Sequence, residues 1–153
     1  MILLLAFLIG MLAGLRSMTA PAATAWAARL GWLRLERPLS YIGSLPAVVL
    51  LTLFAVGELV ADKLPRTPAR TSPPGLVARI VTGGLSGACI ASSGGAGALT
   101  GALLGAFGGV VGCFGGFQAR TRLVKALGVR DIYVALVEDF VAVAGCLFIL
   151  SRV

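Results

Sequence analysis

The chain of 153 residues contains six acidic residues, and four of them fall within or beside segments apolar enough to be buried in a lipid bilayer. These four are Glu58, Asp62, Glu138 and Asp139. Because an ionisable side chain loses its hydration in hydrocarbon, such residues usually face the protein interior and bind ions, protons or polar substrate groups. The four acids are therefore the first candidates for an ion-binding or substrate-binding site.

Their spacing separates the acids into two pairs. Glu58 and Asp62 are four residues apart, so on a helix they share one face at roughly 6 Å. Like charges at that distance resist joint ionisation, so either one carboxyl holds a proton or a cation or basic side chain lies between them. Glu138 and Asp139 are adjacent and diverge by about 100° on a helix, so at most one of them faces a given partner.

Structural ion pairing is the alternative interpretation of these acids. Lys63 can neutralise Asp62 at a helix end, and Arg16, Arg79 or Arg120 can pair with the others. We favour a binding site that includes Arg16, because intramembrane acids without a function are rare.

Most enzyme classes are disfavoured by what the sequence lacks. It has no histidine, which removes histidine-based acid–base catalysis, the Ser-His-Asp triad and histidine ligation of metals. Cys89, Cys113 and Cys146 are odd in number and have no CxxC spacing, so we expect buried core residues rather than disulfides or a zinc site. We expect no enzyme activity and no cofactor, and the sequence leaves metal binding unknown. A divalent-metal enzyme that acts on a lipid phosphate is the least favoured function.

Composition places the chain in a membrane. Its residues are 58% hydrophobic and 12% charged, whereas a soluble domain carries roughly a quarter charged residues. Because a helical span needs about 20 apolar residues, the sequence predicts an all-α fold: a polytopic transmembrane helical bundle of about five spans that forms a single integral membrane domain over residues 1–153. The predicted spans are residues 1 to about 28, 39–62, 76–92, 97–117 and 132–150.

The first of these spans is predicted to be a broken helix. The segment from Leu15 to Pro21 interrupts it, and it contains Arg16. Proline removes a helix hydrogen bond, and the backbone groups that it frees are typical of discontinuous helices that line a transporter cavity. A proline kink without a function is the alternative.

Basic residues cluster between the apolar segments, which is typical of cytoplasmic loops rather than of nucleic-acid binding. Eight lie after the second and fourth spans and four on the opposite side, so we expect an inner-membrane, multi-pass protein with a cytoplasmic N-terminus and an external C-terminus. Membrane lipids are the expected partners and nucleic acid is not. Candidate ligands of anionic lipid or of a phosphate are Arg66, Arg70, Arg120 and Arg122.

Glycines recur at four-residue spacing in the fourth span, and this pattern predicts glycine-zipper packing. The residues that we expect at this packing surface are Gly97, Gly101, Gly105, Gly109, Gly112 and Gly116. Such a surface lets two helix backbones approach closely, either within one chain or between copies in a homo-oligomer. The spacing alone leaves both arrangements open.

Two motifs resemble a known family. The segment 14–21 reads GLRSMTAP, and the segment 57–65 reads GELVADKLP, followed by TPART at 67–71. With the glycine-rich middle and the closing Arg130-Asp131 and Glu138-Asp139 pairs, the chain is similar over nearly its whole length to the small bacterial membrane proteins called domain of unknown function four-one-two-six. The resemblance implies a compact multi-span inner-membrane protein and implies no particular activity.

Two functions compete on these observations. The first is a small transporter or channel-like protein for an ion or a small polar or anionic substrate, with an intramembrane carboxylate site. The second is a non-catalytic membrane scaffold or anionic-lipid-binding protein that assembles through its glycine faces.

Overall fold

The computed structural model describes residues 1–61 and 72–153, and within these ranges the chain is helical with no strand. The six α-helices are α1 (Ile2–Leu15), α2 (Thr19–Arg29), α3 (Leu45–Ala61), α4 (Pro73–Ser93), α5 (Ala98–Leu127) and α6 (Asp131–Leu150), with a short 3-10 helix, Leu39–Gly43, before α3. The predicted all-α fold is confirmed. The candidate site residues that lie outside the described ranges are Asp62, Arg66 and Arg70.

Local sequence explains where the longer helices begin and end. Pro73 and Pro74 open α4, where the missing proline N–H costs nothing because the first N–H groups of a helix have no partner within it. Helix α5 ends just before Gly128, which has φ +62° and donates its N–H to the Val124 carbonyl. A left-handed glycine that closes a helix in this way is a common C-terminal cap.

Three of the described helices, α4, α5 and α6, are long and apolar enough to cross a membrane by length and composition. Helices α1 and α3 are apolar but shorter, with 14 and 17 residues. Large hydrophobic side chains face outward: Leu53 on α3 is 64% exposed and Phe140 on α6 is 73% exposed. A surface of this kind suits hydrocarbon better than water, so the fold supports a membrane protein.

Helices α1, α4 and α5 pack through glycines at the centre of the bundle. A Cβ added to Gly83 would lie 2.6 Å from the Gly105 carbonyl oxygen, and one added to Gly109 would lie 2.6 Å from the Arg79 carbonyl oxygen. Real Cβ atoms essentially never come within 3.0 Å of such neighbours. Backbone therefore meets backbone directly, as small residues allow between membrane helices.

Four of the six glycines predicted at a packing surface make such contacts within the chain. Gly101, Gly105, Gly109 and Gly112 would each bring an added Cβ against the backbone of α1 or α4. Gly97 instead precedes α5, and Gly116 is only partly buried. Packing between copies through these residues remains a prediction.

Helices α1 and α2 form a hairpin, in which the second half of the broken helix turns back along the first. The Ile2 side chain contacts Gly94 at the C-terminal end of α4, and the backbone N–H of Arg34, just after α2, donates to the Ser93 hydroxyl at 2.9 Å. Both outer ends of the α1–α2 pair therefore lie at one end of the bundle, and the break lies at the turn between them. We call residues 16–18 the hairpin tip.

The contacts of helix α6 agree with the direction of α1. Helix α6 contacts the tip through Asp139 and the Arg16 side chain, and it meets Leu12 of α1 at Gly145. Its C-terminus therefore approaches the start of α1, and the last residues, including Leu150, join the same apolar cluster as Leu5.

The break in the first helix is observed, whereas the number of membrane spans and the sides on which the termini lie stay predictions. The break lies where the sequence indicated, since α1 ends at Leu15 and α2 begins at Thr19. Because α2 returns, however, Met1 and the end of α6 lie at the same end of the bundle. The physical reason is that the apolar face of α2 packs against α3 and α6 rather than continuing the axis of α1.

Candidate functional site at the hairpin tip

Glu58 reaches from α3 to the start of α2. Its Oε1 accepts hydrogen bonds from the Ser17 backbone N–H at 2.9 Å and from the Ser17 hydroxyl at 2.8 Å, and its Oε2 accepts one from the Met18 backbone N–H at 2.8 Å. Ser17 and Met18 directly precede α2, whose N-terminal end carries partial positive charge. The carboxylate therefore occupies a position where an anion is stabilised, and its side chain is 13% exposed.

Arg79 of α4 binds the other side of the break. Its Nε donates to the Gly14 carbonyl at 3.0 Å, near the C-terminal end of α1, and its Nη1 donates to the Gly75 carbonyl at 2.8 Å. Its Nη2 lies 3.9 Å from Oε1 of Glu58. The guanidinium thus matches the negative end of α1 while the carboxylate matches the positive end of α2.

Arg16, the first residue of the tip, is fully buried. Its backbone is extended, with φ −137° and ψ 109°, and its N–H donates to the Leu12 carbonyl, which closes α1. Its Nη2 lies 2.5 Å from Oδ1 of Asp139 on α6. Removing one partner of a buried ion pair costs about 3–5 kcal/mol.

A second cluster lies along α5 and α6, centred on Arg120. Its Nε and Nη2 donate to the two carboxylate oxygens of Asp131 at 2.8 and 2.5 Å. Its Nη1 donates to Glu138 Oε2 at 3.3 Å. Glu138 and Asp139 therefore pair with different arginines, as their divergence on a helix predicts.

The structure brings together some of the predicted site residues and separates others. Glu58, Arg16 and Asp139 meet the tip, whereas Glu138 lies in the Arg120 cluster. Arg122 is exposed on the C-terminal part of α5.

The sequence did not indicate Ser17 as a site residue, and it indicated Arg79 only as a structural ion-pair partner of the acids. In the structure Arg79 lies within α4, whose start Pro73 and Pro74 mark, and its Nη2 is 3.9 Å from Glu58 Oε1. The signal for Ser17 was weaker. A serine next to a helix break can supply both an N–H and a hydroxyl to a carboxylate, but the sequence does not indicate which carboxylate reaches it.

Within residues 1–61 and 72–153, no group of three or more His, Cys, Asp or Glu side chains is placed to hold a metal ion. Cys89, Cys113 and Cys146 are buried free thiols, which confirms the prediction of core residues. The hairpin tip presents arginines, carboxylates and backbone N–H groups, all of which recognise charge.

Comparison with known proteins assigns the chain to a family. The family model described as Domain of unknown function (DUF4126) matches residues 3–151, so the chain belongs to this family. No curated protein and no solved structure matches the chain.

Proposed function

We propose that this DUF4126 protein is a small membrane transporter or channel for a small anion, and that the hairpin tip is its binding site. The single observation that carries the proposal is Glu58, whose carboxylate accepts three hydrogen bonds from Ser17 and Met18, just before α2. A helix N-terminus inside a membrane protein is a common binding site for anionic groups in transporters. Here a side chain of the protein itself fills that site.

The proposed membrane arrangement follows from helix lengths. At about 1.5 Å per residue, α1 is about 21 Å long, shorter than a hydrocarbon core of about 30 Å. We infer that the hairpin enters the bilayer and returns, and that α3, α4, α5 and α6 cross it. The tip then lies inside the membrane.

The distribution of basic residues gives the orientation in this arrangement. Among the described residues, the end of the bundle away from Met1 and Val153 carries five basic side chains: Arg79, Arg120, Arg122, Lys125 and Arg130. In the sequence, Lys63, Arg66 and Arg70 fall between α3 and α4. The end with the termini carries Arg29, Arg34, Arg37 and Arg152. Because positively charged loops are retained in the cytoplasm, we infer that both termini lie outside the inner membrane.

The proposed mechanism is competition between the substrate anion and Glu58. An anion that reaches the tip takes over the N–H groups of Ser17 and Met18 and the Ser17 hydroxyl, and the Glu58 side chain withdraws with α3. Helix α3 suits this movement, because only Val48 and Ala55 along it are buried. Elements with few buried contacts are the ones that open most readily. Arg79 stays with the site and supplies the positive charge for the anion.

The scaffold alternative has less support. Gly105 and Gly109, which would have provided a surface for oligomer assembly, already contact α4 within the same chain. Those contacts account for the four-residue spacing without a second copy.

Anion flux in proteoliposomes tests the proposal. Purified protein is reconstituted, and efflux of chloride, nitrate and phosphate is followed in turn for the wild type and for Glu58→Gln. The variant keeps the size of the side chain but removes the competing charge, so we expect several-fold faster efflux of the transported anion.

Asp131→Asn is the matched control, because it also neutralises one carboxylate but lies at the start of α6, away from the tip, and is 60% exposed. Its efflux should match that of the wild type. Equal efflux for wild type and Glu58→Gln, or no efflux of any of the three anions from either, would contradict the proposed transport role.

A further inference from the structure

A groove of about 240 Å³ lies between α2, α3 and α6. Its lining is apolar apart from two threonines, Thr19 and Thr52, and it includes the indole of Trp26. The lining also includes Ala22 of α2, Ala55 and Leu59 of α3, and Val143 and Leu147 of α6. Val56 and Leu147 at its edges are 54% and 50% exposed, so the groove opens toward the surface that we assign to lipid.

Thr19 is the unusual residue of this groove. It is only 6% exposed, and its hydroxyl has no hydrogen-bond partner. Thr24, Thr52 and Thr82 each donate to the carbonyl four residues earlier in their own helices. Thr19 is the first residue of α2, so no carbonyl of that helix precedes it, and its hydroxyl is left with nothing to bind.

The other polar side chain in the groove is already satisfied. Thr52 donates to the Val48 carbonyl at 2.7 Å and accepts the indole N–H of Trp26 at 3.1 Å. Thr19 therefore provides the one lining hydroxyl that lacks a partner among the described residues. A buried hydroxyl without a partner is unfavourable, and a bound acceptor would recover that loss.

We propose that this groove binds a small, neutral, amphipathic molecule with one hydroxyl or carbonyl oxygen that accepts a hydrogen bond from Thr19. An apolar cavity of about 150 Å³ binds benzene, so by proportion this groove takes roughly ten non-hydrogen atoms. The ligand is neutral because the groove lining contains no charged side chain, and a charge there would lose its hydration without compensation. It enters from the hydrocarbon between α3 and α6.

This site is separate from anion transport. Its lining contains neither Glu58 nor Arg79, and its test measures binding rather than flux. Failure of either proposal would leave the other standing.

Quenching of Trp26 fluorescence by brominated probes tests the site. The background variant Trp32→Phe leaves Trp26 as the only tryptophan, since the chain has two. The probes are 8-bromooctan-1-ol, which has about ten non-hydrogen atoms, and 1-bromooctane, which has the same chain without the hydroxyl. Both are titrated into the protein in detergent micelles, where a saturable component reports binding in the groove.

We expect saturable quenching by both probes, with the alcohol binding about tenfold more tightly because it satisfies the hydroxyl of Thr19. Thr19→Val keeps the shape of the side chain and should weaken the alcohol about tenfold while leaving 1-bromooctane unchanged. A valine variant that binds the alcohol as tightly as the background variant would overturn the role of Thr19.

Substitutions that fill the groove provide a second test of the binding site. Ala55→Phe and Val143→Phe block it from α3 and α6, and both should abolish the saturable component for both probes. The matched control is Leu53→Phe, on the exposed side of α3, which should leave binding unchanged. Quenching that never saturates, or that persists in both blocked variants, would overturn the binding site.

Discussion

Gly109 offers the most direct test of the packing that holds the tip in place. It lies on α5 against the carbonyl of Arg79 on α4. An alanine Cβ there would lie 2.6 Å from that oxygen and 3.1 Å from the carbonyl carbon, whereas ordinary contact begins near 3.4 Å. The two helices must therefore separate locally by about 0.8 Å. Because the neighbouring atoms are backbone, they cannot rotate away as a side chain could.

The expected cost of Gly109→Ala follows from two opposing effects. Overpacking costs about 1–3 kcal/mol, and the upper value applies because the neighbour is rigid. Replacing a helical glycine with alanine gains about 1 kcal/mol. We therefore expect a net loss of about 2 kcal/mol in the free energy of unfolding.

Gly115→Ala is the matched control on the same helix, since an added Cβ there meets nothing within 4 Å. Its free energy of unfolding should rise by up to about 1 kcal/mol. The free energies of unfolding of the two variants should then differ by about 3 kcal/mol. Unfolding by SDS in mixed micelles, followed by circular dichroism, measures the difference. Equal unfolding midpoints for the two alanine variants would refute the close approach of α4 and α5.

Three further substitutions test the charges. Arg16→Met should destabilise the protein by about 3–5 kcal/mol because it removes the ion pair with Asp139, whereas the double variant with Asp139→Leu should recover most of that loss; additive losses in the unfolding assay would contradict this pairing. Ser17→Ala should lower the free energy of unfolding by about 1.5–3 kcal/mol, because the Ser17 hydroxyl donates to the Glu58 carboxylate. An unfolding free energy equal to that of the wild type would mean that water replaces the hydroxyl. Asp131→Asn should change stability by less than about 1 kcal/mol, because the exposed carboxylate pairs at the surface; a loss as large as that of Arg16→Met would contradict this assignment.

The packing of the central helices was accessible from the sequence because it depends on residue size alone. Glycine at every fourth position leaves one helix face without side chains, and any close neighbour must then meet the backbone, as Gly105 and Gly109 do. The separation of Glu138 from Asp139 was accessible for a similar reason. Adjacent residues on a helix diverge whatever surrounds them.

The direction of α2 was not accessible from the sequence. A break such as Leu15 to Pro21 frees backbone groups but does not state whether the following helix continues or returns. That choice depends on distant partners, namely Glu58 at the start of α2 and Asp139 beside Arg16. Such pairings join residues far apart in the chain, which local patterns cannot specify.

The hairpin has a consequence for the order in which the protein is completed during synthesis. Arg16 is made more than a hundred residues before Asp139, the carboxylate that neutralises it within the fold. The glycine face of α5 that receives α1 is also made late. We expect α1 and α2 to remain near the membrane surface until α6 has been inserted, so that they reach their final depth only after a helix that is synthesised later.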